Sequence, residues 1–191
     1  MTIRAVRHAI LGLVLLAAVA SSLLASPGPD GVFGALLAAL MLAITVIDSG
    51  RYIIPNELTG AALALALLRA GLVGPEAGWH AVLLAALRAM TVTLPLFLLM
   101  AGYRRWRGRD GLGLGDVKLA AVAGAWLGFV TIFAVIELAA LSALAAYVVN
   151  AWLRKRPLRA TAFLPFGAFL APAIWIGWLA EALLSQALSA F

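Results

Sequence analysis

Long apolar runs with few charges alternate along the chain with short segments that hold most of its charged residues. Ala9–Ala25 contains no ionisable group and follows Arg4 and Arg7. Gly31–Ile47 stops at Asp48, a third run covers Leu58 to about Val73, and a fourth covers Trp79 to about Tyr103. Membrane helices need about 17–25 such residues, and these runs are near that length. Pro27–Asp30 and Gly74–Glu76 carry the breakers expected of short turns between them. Asp116–Leu153 as one helix would extend about 57 Å, against a hydrocarbon core of about 30 Å. Two crossings with a hairpin near Gly128 fit that stretch better. The last run, Ala160–Ala180, carries Pro165, Gly167, Pro172 and Gly177, which predicts a kink or a broken first turn. The pattern therefore predicts an all-α, polytopic transmembrane helical bundle of about seven crossings. Ala25-Ser26-Pro27 resembles a signal-peptide cleavage site, but Pro27 would hinder cleavage, so the first run is expected to remain as a span.

Composition agrees with this pattern. Hydrophobic residues make up 65% of the 191 positions and charged residues 12%. In soluble domains the apolar share, glycine included, is about 45–50% and the charged share about 25%. The chain has no Cys, which excludes disulfides, thiolate metal sites and Cys nucleophiles. A net charge of +6 could suggest nucleic acid, but in a membrane protein Lys and Arg chiefly set orientation. With the N-terminus inside, segments 1–8, 48–57, 102–118 and 154–159 face the cytoplasm. They hold Arg4, Arg7, Arg51, Arg104, Arg105, Arg107, Arg109, Lys118, Arg154, Lys155, Arg156 and Arg159, which is 12 of the 14 Lys and Arg. Arg69 lies near the outer face and Arg88 inside a span. The asymmetry predicts a cytoplasmic N-terminus, and its parity requires the hairpin near Gly128. No nucleic-acid partner is expected.

The acids are then the informative minority. Asp30, Glu76 and Glu181 fall near aqueous edges and read as solvated turns or helix ends. Glu57 favours the dipole of the third helix, with Asn56 as its expected N-cap and Pro55 just ahead. Asp48 and Asp116 differ, because both fall at cytoplasmic ends of spans, on separate helices and at one depth. Asp48 is followed by Ile54-Pro55-Asn56, and Asp116 closes Gly111-Leu112-Gly113-Leu114-Gly115-Asp116. Gly113 and Gly115 permit backbone conformations and close approaches that larger residues forbid. A lone aspartate at such a place is usually interfacial, whereas two form a functional hypothesis. Two carboxyls a few Å apart share one proton, so one can take a proton from water while the other polarises a carbonyl. Metal-assisted hydrolysis is not expected, because the only two His, His8 and His80, fall on opposite sides. No cofactor is implied. No Gly-x-Ser-x-Gly elbow or Gly-Lys-Ser/Thr phosphate loop is present.

Asp48 with Ile54-Pro55-Asn56 and Leu58-Thr59, then Gly113-Leu114-Gly115-Asp116 with Lys118-Leu119, resembles the type IV prepilin peptidase family of intramembrane aspartyl proteases. Leu164-Pro165-Phe166-Gly167-Ala168-Phe169-Leu170 resembles that family's closing Pro-Phe-Gly-Pro-Phe element, with Ala168 at its second Pro. The resemblance covers about residues 31–175 and implies a single membrane-embedded peptidase domain over 1–191. It assigns the catalytic pair to Asp48 and Asp116, with Gly113, Gly115, Lys118, Pro55 and Asn56 as supporting motif residues. It implies cleavage of the leader peptides of prepilins or pseudopilins at the cytoplasmic face of the bacterial inner membrane. Gly50 stands where many relatives have a second acid. Longer relatives carry a Cys-containing cytoplasmic segment and also N-methylate their product; with no Cys and no such segment in this sequence, methyltransferase activity is not expected. The compact length resembles the peptidases of tight-adherence pilus systems.

Lys118 could also bind lipid phosphate or snorkel to the interface, and Arg104–Arg109 with Arg154–Arg159 could contact anionic membrane lipids. Arg88 and Glu137 are expected at matching depth, roughly 13 Å from the outer face, which predicts a structural ion pair between them. Two other classes stay open. A proton-coupled transporter would show inverted repeats and midplane carboxylates, and a non-catalytic pilus-assembly scaffold would show a disrupted aspartate pair.

Overall fold

The computed structural model describes residues 3–74, 76–108, 113–155, 157 and 164–189. Arg109, Arg156 and Arg159 of the expected cytoplasmic clusters, and positions 111–112 of the glycine motif, lie outside the described residues. So do positions 160–163 of the last run. The described chain is helical: α1 (Ile3–Ala25), α2 (Pro29–Arg51), α3 (Asn56–Leu72), α4 (Trp79–Arg107), α5 (Leu114–Trp126), α6 (Phe129–Leu153) and α7 (Gly167–Ser189). Five of them, α1, α2, α4, α6 and α7, are long and apolar enough to cross a membrane. The other two are shorter: α3 has 17 residues and α5 has 13. At about 1.5 Å per residue they extend about 25 and 20 Å.

Local signals account for most of the boundaries. Pro29 occupies the first turn of α2, where its missing N–H costs nothing, so the expected turn is confined to Ser26–Gly28. Tyr52 ends α2 in the left-handed conformation, with φ 56° and its N–H on the Asp48 carbonyl. The break at Leu127–Gly128 divides the long stretch into α5 and α6. The last helix begins at Gly167, after Leu164 and Pro165. The N-cap of α3 is Pro55 rather than the expected Asn56, which is instead the first helical residue and makes no capping bond.

The inner layer is α2 against α7, with α1 and α6 outside them and α4 packed on α5. On α2 the buried positions Gly34, Leu37, Ala38, Met41, Ile44 and Asp48 follow the three-and-four spacing of one helix face. Asp48 is thus the polar end of the core stripe. Helix α5 is buried around most of its circumference: Leu119, Ala120, Val122, Ala123 and Trp126 all lie in the core, as expected of a helix enclosed by others. Close approach depends on missing side chains. A Cβ at Gly124 of α5 would lie 2.8 Å from the Ala89 Cα of α4.

Two acids expected as solvated edge groups make specific contacts. Glu181 Oε1 accepts the Gly128 N–H at 2.8 Å, so α7 caps the start of α6. Asp30 pairs with Arg69, whose guanidinium lies 5.4 Å from the centre of the Trp126 ring. The Trp126 indole N–H donates to the Ala62 carbonyl at 3.0 Å. This cluster joins α2, α3 and α5 at the ends remote from Asp48, Asn56 and Asp116. Asp30→Asn and Arg69→Gln should each lower stability by about 1.5–3 kcal/mol, the usual worth of a charge-assisted bond. Thermal unfolding in lipid nanodiscs reads this as about 2–4 °C per kcal/mol. Arg69→Lys should recover only part, because an ammonium cannot both fork onto Asp30 and stack on the indole. Unchanged midpoints would refute the clamp.

The expected Arg88–Glu137 pair does not form. Helix α4 packs on α3 and α5, and α6 packs on α7 and α5. Arg88 Nε is buried without a hydrogen-bond partner, and Glu137 is exposed. Matching depth fixes position along the helix axis, but the two side chains face different neighbours.

Candidate active site

Asp48 and Asp116 are brought together by the start of a third helix. The first N–H groups of a helix have no partner within it and carry the positive end of its dipole. At the start of α7, the Ala168 N–H donates to Asp48 Oδ2 at 2.8 Å. The Gly167 N–H faces the Asp116 carboxylate, which also lies in the field of Asp48. Adjacent amides of one helix turn therefore serve the two acids.

Each acid is also fixed by its own segment. Asp48 is 4% exposed at the end of the α2 core stripe. Asp116 is the third residue of α5, and its carboxylate reaches back to the backbone N–H of Gly113, the N-cap. That is half of a capping box, with an aspartate in the usual place of Glu or Gln. Gly113 has φ −71°, an ordinary value, so its glycine serves space rather than conformation. A Cβ there would stand 3.0 Å from Asp116 Oδ2.

Ile54 is the wedge between the motif segments. A Cβ at Gly115 would lie 3.0 Å from Ile54 Cβ, and one at Gly167 would lie 2.4 Å from Ile54 Cδ1 and 3.0 Å from Asp48 Oδ2. Both glycines are thus matched to one isoleucine that α2 hands across to α3. Pro55 follows it in extended conformation, with ψ 134°, and Thr59 Oγ1 bonds back to the Pro55 carbonyl at 3.2 Å. Lys118 Nζ donates to Asn56 Oδ1 at 2.7 Å, tying α5 to α3 two residues beyond Asp116. Gly50, at the position of the second acid, has open space around it.

Sequence reasoning missed the amides of Gly167 and Ala168. The signal was present in Pro165-Phe166-Gly167, since Pro and then Gly punctuate a helix start, but only packing shows which groups that start faces. Arg88 and Glu137 are not part of this site.

The Type IV leader peptidase family matches residues 35–149, which span α2 through most of α6 and include both aspartates. The chain belongs to the Type IV leader peptidase family. Its similarity extends to proteins named prepilin leader peptidase/N-methyltransferase. The one from Burkholderia pseudomallei (strain 1026b) is 38% identical over 159 residues, covering 81% of this chain and 48% of its own length. The one from Pectobacterium carotovorum subsp. carotovorum is 37% identical over 161 residues, covering 83% of this chain and 55% of its own. The one from Aeromonas hydrophila is 33% identical over 168 residues, covering 87% and 56%. The chain thus spans about half the length of the curated relatives it matches. No solved structure matches it. Family membership and the apolar helices make this a multi-pass membrane protein.

Proposed function

We propose that this chain is an aspartic endopeptidase of the bacterial inner membrane that removes the leader peptides of prepilin-like proteins at the cytoplasmic face. The observation that carries the reading is the placing of Asp48 and Asp116 on adjacent amides of one helix start, inside a chain of the leader peptidase family. One carboxyl of the pair is protonated and the other ionised. The ionised one takes a proton from water as the water oxygen attacks the scissile carbonyl carbon. The protonated one donates to the carbonyl oxygen. Collapse of the tetrahedral species breaks the C–N bond, and the proton first taken from water passes to the leaving amine. The α7 dipole and its two N–H groups favour negative charge at this spot without a metal.

The topology that suits this chemistry has seven crossings and a cytoplasmic N-terminus, with the whole of 1–191 acting as one peptidase unit. It places both acids on the side that retains Arg51, Arg104, Arg105, Arg107 and Lys118, where anionic membrane lipids would gather. The test is direct. The protein, co-expressed with a prepilin-like substrate that bears a basic leader ahead of an apolar helix, should yield the shortened product. Absence of leader removal across several such substrates would overturn the reading.

A further inference from the structure

Glu137 stands in the open on α6, eight residues beyond the start of the helix at Phe129. That is about 12 Å along the axis, well inside a hydrocarbon core of about 30 Å. Its neighbours one turn away on the same face, Phe133, Ala134, Ala140 and Leu141, are all exposed and all apolar. Nothing on α6 answers its charge. Arg88 presents the complement on α4, nine residues beyond Trp79 and so at about 14 Å. It lies beside the buried Ala85 and Ala89, part-exposed, with its Nε sealed from solvent and lacking a partner among the described residues. An unmatched acid and an unmatched base at mid-span are each costly in lipid. They stand on different helices from those that hold Asp48 and Asp116.

We propose that two copies of this chain associate through α4 and α6, with Arg88 of each copy paired to Glu137 of the other. A twofold axis along the membrane normal keeps every residue at its own depth, so partners across it must lie at equal depth. Helices α4 and α6 start from the same face in the seven-span topology, which sets Arg88 and Glu137 level with each other. The pair then forms twice, as an isologous interface requires. Leu87 and Leu138, both exposed, flank the charges and supply apolar contact. The association rests on the proposed seven-span topology and on this surface, and it stands whether or not the aspartates cleave leaders.

The absence of Cys gives a clean background for the test. Two differently tagged full-length copies, one with Leu87→Cys and the other with Leu138→Cys, are co-expressed and treated with a short bis-maleimide in native membranes. A cross-linked product carrying both tags is expected. Glu137→Gln, Glu137→Arg and Arg88→Glu should each diminish it, and Arg88→Glu with Glu137→Arg in the same chain should restore it. In vesicles, energy transfer between labelled copies should show dissociation about three- to thirtyfold easier for each pair lost. The unfolding midpoint of Glu137→Gln, measured in parallel, separates lost association from lost folding. A product with a different protein, no product, or a product indifferent to all three single substitutions would overturn the proposal.

Discussion

Asp48→Asn and Asp116→Asn should each reduce leader removal by about 10²–10⁴-fold, the range associated with a positioned acid or base. Asparagine keeps the size of the side chain and one carbonyl oxygen. The Ala168 N–H can therefore still bond at position 48, and the Gly113 and Gly167 N–H groups can still face position 116. What is lost is the shared proton and the negative charge. The unfolding midpoint should accordingly change much less than the rate. Because the two acids work on one water, the double variant should be hardly slower than either single one. The measurement is the initial rate of leader removal from one substrate at equal enzyme in nanodiscs. Undiminished cleavage by either variant would remove that residue from the reaction.

Gly34→Ala should be the most damaging single-atom addition in the α2–α7 contact. The added Cβ would lie 1.8 Å from Trp178 Cη2 and 2.2 Å from Cζ3, far inside contact distance. Trp178 is 1% exposed and wedged between the two inner helices, so its ring has nowhere to retreat. Overpacking of this kind costs about 1–3 kcal/mol. Thermal unfolding in nanodiscs should register it, together with a fall in activity, because α2 carries Asp48 and α7 carries the amides that face both acids. Trp178→Leu in the same background should recover part of the loss. The indole N–H has no hydrogen-bond partner among the described residues, so its removal strands no acceptor there. The two changes should thus be less harmful together than their separate effects added. A wild-type midpoint for Gly34→Ala would show that α2 and α7 are more loosely packed than described.

Several expectations were legible because their causes are local. The turn at Gly74, the hairpin at Leu127–Gly128 and the start of α4 at Trp79 follow from breakers between apolar runs. Asp48 and Asp116 stood out because ionisable residues bordering the apolar runs are few. Other features were hidden. Asp30 and Arg69, thirty-nine positions apart, read separately as edge charges but meet over Trp126. Asn56 suited an N-cap by residue type, but Lys118 draws its side chain toward α5 instead. Gly115 reads as allowing a close approach and Gly167 as part of a kink or broken turn, and only the position of Ile54 between them shows what their missing side chains make room for.

Residue order by itself determined the helical class, the apolar runs, the position of each charge along its helix and the two acids worth testing. Hydropathy and chain rise act along one axis, and counting residues measures both. The tertiary structure decided which faces meet. It set Asp48 and Asp116 on neighbouring amides of α7, joined Asp30 to Arg69, and kept Arg88 apart from Glu137. Those outcomes depend on the rotation of each helix about its axis and on the identity of its neighbours. Both are set by how side chains and glycine gaps interlock across the whole bundle.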